Sequence, residues 1–168
     1  MFALKKNITL LLISFILIGL FSNLNIAHGA GSGSDSGGGS NKVDLYKSGK
    51  KIVYRAKKLE KKNKIEKAKK LYLKAYKKFE KAYSKDKKNP DILNYLGYTS
   101  RKVGNFEKAE IYYLKGLELD AGHIGINEYL GELYVQTNRI ELAKKRLDVL
   151  NGCKCKEYQE LKELIDNN

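Results

Sequence analysis

The stretch "LGYTSRKVGNFEKAEIYY", residues 96–113, has a close counterpart in "LGELYVQTNRIELAKKRL", residues 130–147. An offset of 34 positions separates the members of each matched pair, which are Leu96 and Leu130, Gly97 and Gly131, Phe106 and Ile140, and Ala109 and Ala143. An internal period of this length is typical of stacked helical hairpins, in which each repeat buries one face against the next. The pattern therefore predicts an all-α solenoid.

Gly131 lies in the middle of a predicted helix, where Gly costs about 1 kcal/mol relative to Ala. A Leu-Gly pair in a first helix and an Ala in the second, repeated every 34 residues, resemble the tetratricopeptide repeat (TPR) family. In that family the small residue of the first helix lets the paired helix approach closely. The resemblance thus implies that close packing, rather than a ligand, offsets the cost of Gly131.

The resemblance extends along residues 90–165. Over this range the chain resembles the small exported TPR proteins of Gram-negative bacteria. Asn89 and Pro90 have the residue types expected at the start of a first helix. Gly104 and Asn138 occupy equivalent positions, where we expect a left-handed residue to end the first helix of each hairpin.

An earlier, degenerate repeat precedes these two. "NKIEKA" at 63–68 matches "GNFEKA" at 104–109 with an offset of 41, which indicates a heptad added to its second helix. At the other end, "CKEYQELKELIDN" at 155–167 predicts an amphipathic capping helix with Tyr158, Leu161 and Leu164 on one side. The sequence thus predicts about three hairpins and a cap.

The predicted organisation has six parts along the chain. They are a signal peptide at 1–29, a Gly/Ser-rich flexible linker at 30–41, a degenerate basic hairpin with an extended second helix at 42–89, TPR repeats at 90–123 and 124–152, and a Cys-containing loop with the capping helix at 153–168.

The N-terminal residues have the order of a secretory leader. Two lysines precede the apolar run "ITLLLISFILIGLF" at 8–21, and small residues follow, which predicts cleavage between Gly29 and Ala30. The alternative is an uncleaved leader that anchors the protein in the inner membrane, since a slightly longer run would span a bilayer. The leader predicts an exported, periplasmic protein.

Charge is distributed unevenly along the chain. Residues 42–88 contain 20 Lys and Arg against 5 Asp and Glu, whereas residues 89–168 contain 11 against 13. A basic patch that includes Lys50, Lys57 and Lys61 would suit an acidic partner, anionic lipid or a polyanion. The alternative is a compositional bias toward Lys, which makes up 29 of the 33 basic residues. Because the leader indicates export, we do not expect nucleic acid as a partner.

No motif predicts an enzyme. The sequence has no P-loop, no serine elbow and no metal-ligand spacing, so we expect no catalytic residue, metal, cofactor or small-molecule substrate. Carboxylate pairs such as Glu128 and Glu132 are interpreted as polar groove surface. Cys153 and Cys155 predict a disulfide in an oxidising compartment. Free thiols, intermolecular pairing and redox or metal chemistry remain the alternatives, and the redox alternative would make this a thiol-active protein.

The TPR resemblance implies that another protein, of unidentified nature, docks as a helix or an extended peptide in a concave groove formed by the first helices. The family's groove positions correspond here to Asn94, Tyr98, Arg101, Lys102, Glu128, Glu132, Val135 and Gln136, with Lys50, Val53 and Lys57 from the degenerate hairpin. Such a groove would change from basic to acidic along its length. The expected function is a noncatalytic scaffold or assembly factor, with a membrane-surface or polyanion-binding protein as the alternative.

Overall fold

The computed structural model describes residues 41–168, with side chains from residue 45 onward. The predicted leader, its cleavage position at Gly29 and Ala30, and nearly all of the predicted linker lie outside the described residues. The helices run α1 (Asn41–Glu60), α2 (Ile65–Lys85), α3 (Pro90–Lys102), α4 (Phe106–Leu119), α5 (Ile124–Gln136), α6 (Ile140–Val149) and α7 (Lys156–Asp166). The all-α prediction is confirmed.

The helices form three antiparallel hairpins, α1–α2, α3–α4 and α5–α6, and each hairpin packs against the next. The turns follow from local sequence. The side chain of Asn89 accepts a hydrogen bond from the backbone N–H of Ile92 at 3.3 Å and caps α3. Asn63, Gly104 and Asn138 all have a positive φ at the end of the first helix of their hairpins. The predicted left-handed turns at Gly104 and Asn138 are therefore present.

The first hairpin is longer than the second in both of its helices. α1 has 20 residues and α2 has 21, whereas α3 has 13 and α4 has 14. The sequence predicted the added heptad in the second helix alone. The matching addition in α1 packs Gly49 against Phe79, where a methyl group would lie 2.6 Å from the ring. Both helices must lengthen together because each added turn needs a partner to bury it.

Two clusters of buried side chains form the core. One joins α1, α2 and α3 around Tyr72, Phe79 and Leu96, and the second joins α4, α5 and α6 around Tyr113 and Leu130. Tyr129 packs against both clusters, so it links the two halves of the stack.

The two repeat glycines pack against different helices. Gly97 lies against the ring of Tyr113 in the paired helix α4, as the TPR resemblance implied. Gly131 instead lies against Leu161 of α7, whose Cδ2 would be 2.5 Å from an added methyl group. The difference arises because Leu147 stands at the position equivalent to Tyr113 and is shorter. The capping helix fills the space that an aromatic ring fills in the preceding repeat.

The buried side of α7 also differs from the prediction. Leu161 is fully buried, but Leu164 is exposed and Ile165 packs against the second core cluster instead. Leu161 and Ile165 are four residues apart and so lie on one helical face. The predicted face of Tyr158, Leu161 and Leu164 was wrong at its last position.

Candidate partner-binding groove

The floor of the candidate groove is built from three successive first helices. The rings of Tyr98 on α3 and Tyr129 on α5 pack with their centroids 4.9 Å apart. The Nζ of Lys57 on α1 lies 4.9 Å from the centre of the Tyr98 ring and 5.9 Å from that of Tyr129. An ammonium group at this distance from a ring face is attracted by the π electrons. α1, α3 and α5 therefore contribute to one continuous surface.

A second, similar arrangement lies toward the N-terminal end of α1. The Nζ of Lys50 lies 5.3 Å from the centre of the Tyr46 ring and 5.8 Å from that of Tyr95. The rings of Tyr46 and Tyr95 meet edge to face at 5.6 Å. Lys50 and Lys57 are seven residues apart, so both stand on the same face of α1. The groove floor is thus a band of tyrosines covered by two lysines.

Arg101 ties α3 to α5 below this floor. It is 6% exposed, and its guanidinium donates a hydrogen bond to Oε1 of Gln136 at 3.0 Å and forms an ion pair with Glu132. A buried guanidinium is tolerated when it is paired in this way, and removal of one partner is expensive. Arg101 and Glu132 therefore hold α3 against α5, and their charges are paired with each other and not available to a ligand.

Lys102 and Glu60 join α1 to α3. Their Nζ and Oε1 atoms are 2.6 Å apart, and the hydroxyl of Tyr72 donates a hydrogen bond to the other oxygen of Glu60 at 2.7 Å. This contact holds the end of α1 against both α2 and α3. Like Arg101, Lys102 is already neutralised within the protein.

Glu128 is the most unusual titratable group of the groove. It is 5% exposed, and burial, followed by a hydrogen bond with Glu160 and repulsion from nearby carboxylates, raises its pKa to about 8. At neutral pH Glu128 is therefore mainly protonated and can donate its proton to Glu160 of α7. The pKa of Glu160 is lowered, because it accepts that hydrogen bond and lies 3.3 Å from Lys156.

These contacts change the predicted charge gradient of the groove. Glu128 is mainly neutral and Glu132 is paired with Arg101, so α5 supplies little free negative charge. The acidic groups at this end include Glu157 and Glu160 on α7. The exposed cationic groups of the groove include Lys50 and Lys57. Lys57 lies close enough to the acidic end for its charge to help lower the pKa of Glu160.

The remaining predicted residues are placed differently. Asn94, Val135 and Val53 are buried, and Asn94 lies against Gly125 at the start of α5. Gln136 is exposed beside Arg101, and Lys61 is exposed in the turn after α1. The structure brings Lys57, Tyr98, Arg101, Glu132 and Gln136 together. Lys61 follows Lys57 by one helical turn, and its backbone N–H donates to the carbonyl of Lys57 at 3.1 Å. Binding of a partner by any of these residues stays a prediction.

Five groove residues were not predicted, namely Tyr46, Tyr95, Tyr129, Glu157 and Glu160. Tyr95 and Tyr129 are 34 positions apart, so the repeat period itself could have identified them. The two glutamates belong to α7, whose position on α5 no periodicity specified.

Cys153 and Cys155 lie in the loop before α7. Their sulfur atoms are 2.01 Å apart and their Cα atoms 5.2 Å apart, within the range for a disulfide. Both side chains are half-buried, and the backbone N–H of Cys155 donates to Sγ of Cys153 at 3.3 Å. Among residues 41–168, no group of three or more His, Cys, Asp and Glu side chains could hold a metal ion. The geometry fits a structural cross-link next to the capping helix.

Within the same residues, no helix combines the length and the apolar character that a membrane span requires.

Comparisons with known proteins identify the repeat. Residues 78–111 match the tetratricopeptide repeat family, which confirms the resemblance inferred from the period of 34. No curated protein matches the chain.

Two solved structures from Yersinia enterocolitica have a similar fold. One is the type III secretion chaperone SycD in complex with a peptide of the translocator YopD, with 19% identity and a TM-score of 0.51 over 70% of this chain and 86% of that chain. Another structure of SycD, a translocator chaperone, gives 14% identity and a TM-score of 0.52 over 70% and 81%. At such low identities the similarity concerns the fold alone.

Proposed function

Because the chain contains a tetratricopeptide repeat at residues 78–111 and folds like a chaperone that has been solved with a peptide, we propose that it is a noncatalytic protein–protein interaction module. In this proposal it binds a helix or peptide of another protein along the concave groove and acts as a scaffold or assembly factor. The leader-like sequence at 1–29 supports a periplasmic location as part of the same proposal.

The observation that carries the proposal is the position of Lys57 across Tyr98 and Tyr129. No Asp or Glu of the described residues forms an ion pair with Lys57, although Glu60 and Glu132 pair with its neighbours Lys102 and Arg101. Partial burial lowers the pKa of Lys57, while Glu128 and Glu132 at longer range oppose that effect. An acidic side chain or a carbonyl group of a partner would supply the missing contact, and the partly exposed ring of Tyr129 would lie against its apolar part.

The test uses a charge reversal with a matched control on the same helix. Lys57→Glu alters the groove floor, whereas Lys58→Glu alters the next residue, whose Nζ lies 4.6 Å from the centre of the exposed ring of Tyr54. Both lysines are exposed and both lie over a tyrosine, and urea unfolding of the two variants would show that each is folded before affinities are compared. Tyr98 and Glu132 are less suitable, because both are part of the packing of α3 and α5.

Wild type and both variants would be used to capture proteins from the cell envelope, and each captured protein would be purified and its affinity measured by calorimetry. We expect a specific partner to lose at least about tenfold in affinity for Lys57→Glu and to keep its affinity for Lys58→Glu. Equal affinity of every captured protein for the two variants would contradict binding in the groove. Cell fractionation and N-terminal sequencing of the mature protein would test the location separately.

A further inference from the structure

The outer face of α2 carries a row of lysines that form no ion pair with a described side chain. Buried residues of α2 are Ala68, Tyr72, Ala75, Phe79 and Ala82. On the opposite side of the helix, exposed residues follow at spacings of three and four, and they are Lys70, Leu73, Lys74, Lys77 and Lys81. We call these five residues the lysine face.

The two carboxylates of α2 do not neutralise the lysine face. Glu66 forms an ion pair with Lys69 at 3.1 Å, and Glu80 shares a hydrogen bond with Tyr76, which points toward Tyr112 on α4. None of the four lysines of the lysine face has an ion-pair partner among residues whose side chains the structure describes.

The equivalent faces of the other second helices are balanced. At the positions equivalent to the lysine face, α4 has Ile111, Leu114, Lys115 and Glu118, and α6 has Lys145, Asp148 and Val149. Each of these faces has one acidic and one basic residue. The first turn of each of these helices adds one glutamate, which is Glu66 on α2, Glu107 on α4 and Glu141 on α6. With four lysines against that one glutamate, α2 is the helix of the three whose outer side carries a large excess of positive charge.

We infer that the lysine face docks on an anionic phospholipid bilayer. The cations are all Lys and no Arg, which suits a diffuse negative surface better than the bidentate recognition of individual phosphates or carboxylates. Leu73 stands among them with 49% of its surface exposed, and a leucine gains free energy on entering the boundary between headgroups and acyl chains. A polyanion in water offers no such apolar environment to Leu73.

The inference is independent of the groove. Tyr98 and Tyr129 belong to first helices, whereas the lysine face belongs to a second helix, so a bilayer-bound protein would keep its groove open to a partner. Loss of vesicle binding would therefore leave the proposed peptide binding intact, and the reverse also holds.

The test measures binding of the full chain to vesicles of phosphatidylglycerol mixed with phosphatidylcholine, and to vesicles of phosphatidylcholine alone. Wild type and every variant contain the same apolar N-terminal run, so a difference in vesicle affinity between them is due to the substituted residues. Each lysine near an anionic surface strengthens binding roughly fivefold, so Lys77→Gln with Lys81→Gln should weaken binding to the anionic vesicles about 25-fold. The control double variant, Lys144→Gln with Lys145→Gln on α6, should bind like wild type.

Two further measurements distinguish a bilayer from a soluble polyanion. Leu73→Ser should weaken vesicle binding roughly fivefold to tenfold, because an apolar insertion is lost, and should not change binding to polyglutamate. Acetylation of exposed amines should be slowed by anionic vesicles at Lys70, Lys74, Lys77 and Lys81, and not at Lys144 and Lys145. Equal losses for the α2 and α6 double variants, or no effect of Leu73→Ser on vesicles, would overturn the inference.

Discussion

The contact between Gly131 and Leu161 allows a quantitative test of how the capping helix is attached. Gly131→Ala adds a methyl group 2.5 Å from Cδ2 and 2.8 Å from Cδ1 of a fully buried leucine. Overpacking of this kind costs about 1–3 kcal/mol, and the better helix propensity of Ala returns about 1 kcal/mol. We therefore expect the single variant to lose about 1 kcal/mol in its free energy of unfolding.

Leu161→Ala should be more damaging, because it removes a buried side chain that fills the space above Gly131. Leu→Ala changes in a core cost about 2–5 kcal/mol, and we take about 3 kcal/mol here. If the two effects were independent, the double variant would lose about 4 kcal/mol. In the double variant, however, the methyl group added at position 131 has room, and the gain in helix propensity remains. The expected loss is then about 2 kcal/mol, which is a coupling of about 2 kcal/mol.

The assay is urea unfolding followed by far-UV circular dichroism for wild type, both single variants and the double variant. Gly104→Ala serves as the control, because Gly104 has a positive φ and no atom lies within 4 Å of an added methyl group. Its cost is confined to the backbone and should add to that of Leu161→Ala without coupling. Additivity of Gly131→Ala and Leu161→Ala within about 0.5 kcal/mol would refute the contact as the reason for a glycine at this position.

Three other predictions follow from the contacts of single side chains. Burial raises the pKa of Glu128 from 4.5 to about 8, so the unfolded chain releases this proton at a lower pH than the folded chain. The free energy of unfolding of the wild type should therefore fall as the pH rises from about 4.5 to about 8. Glu128→Gln should flatten that fall in urea titrations, and parallel pH curves for wild type and variant would contradict the assignment. Tyr72→Phe should cost about 1 kcal/mol in the same assay, because Glu60 loses a donor, whereas Tyr54→Phe at an exposed ring should cost nothing measurable. Intact-protein mass spectrometry should find a mass two hydrogens lower than that of the dithiol form, because Cys153 and Cys155 form a disulfide. The double variant Cys153→Ser with Cys155→Ser should lose no more than about 1.6 kcal/mol in its free energy of unfolding, because so short a loop restricts the unfolded chain little. Reactivity of both cysteines with a thiol reagent in the native, unreduced protein would rule the cross-link out.

Most of the helical stack could be predicted from the sequence, because its signals are local or periodic. Asn89 and Pro90 mark the start of α3, and Gly104 and Asn138 mark turns that require a left-handed backbone. The offset of 34 aligned α3–α4 with α5–α6. The lengthening of α1 was not predicted, because its main mark in the sequence is Gly49. The role of that glycine becomes clear only in the folded protein, where the ring of Phe79 packs against it.

The candidate groove was predicted less completely. Family positions selected Tyr98, Arg101 and Glu132, but they could not indicate that Arg101 and Glu132 neutralise each other. Tyr129 was not predicted although it repeats Tyr95, because the residues that define the repeat are small and aliphatic and do not mark an aromatic band. The protonation of Glu128 depends on Glu160, which is 32 positions away and belongs to a helix outside the repeat period.

The order of amino acids is enough to specify the helical hairpins, their period, their turns and the uneven charge of the chain. These features depend on residue types at fixed spacings, and the backbone geometry of helices and turns converts spacing directly into structure. The packing of distant helices establishes which helix fills the space beside Gly131, which charges are neutralised and which lysines remain unpaired. Those outcomes depend on burial and on distances between residues far apart in the chain, and a free energy of burial or pairing exists only once both partners are in place.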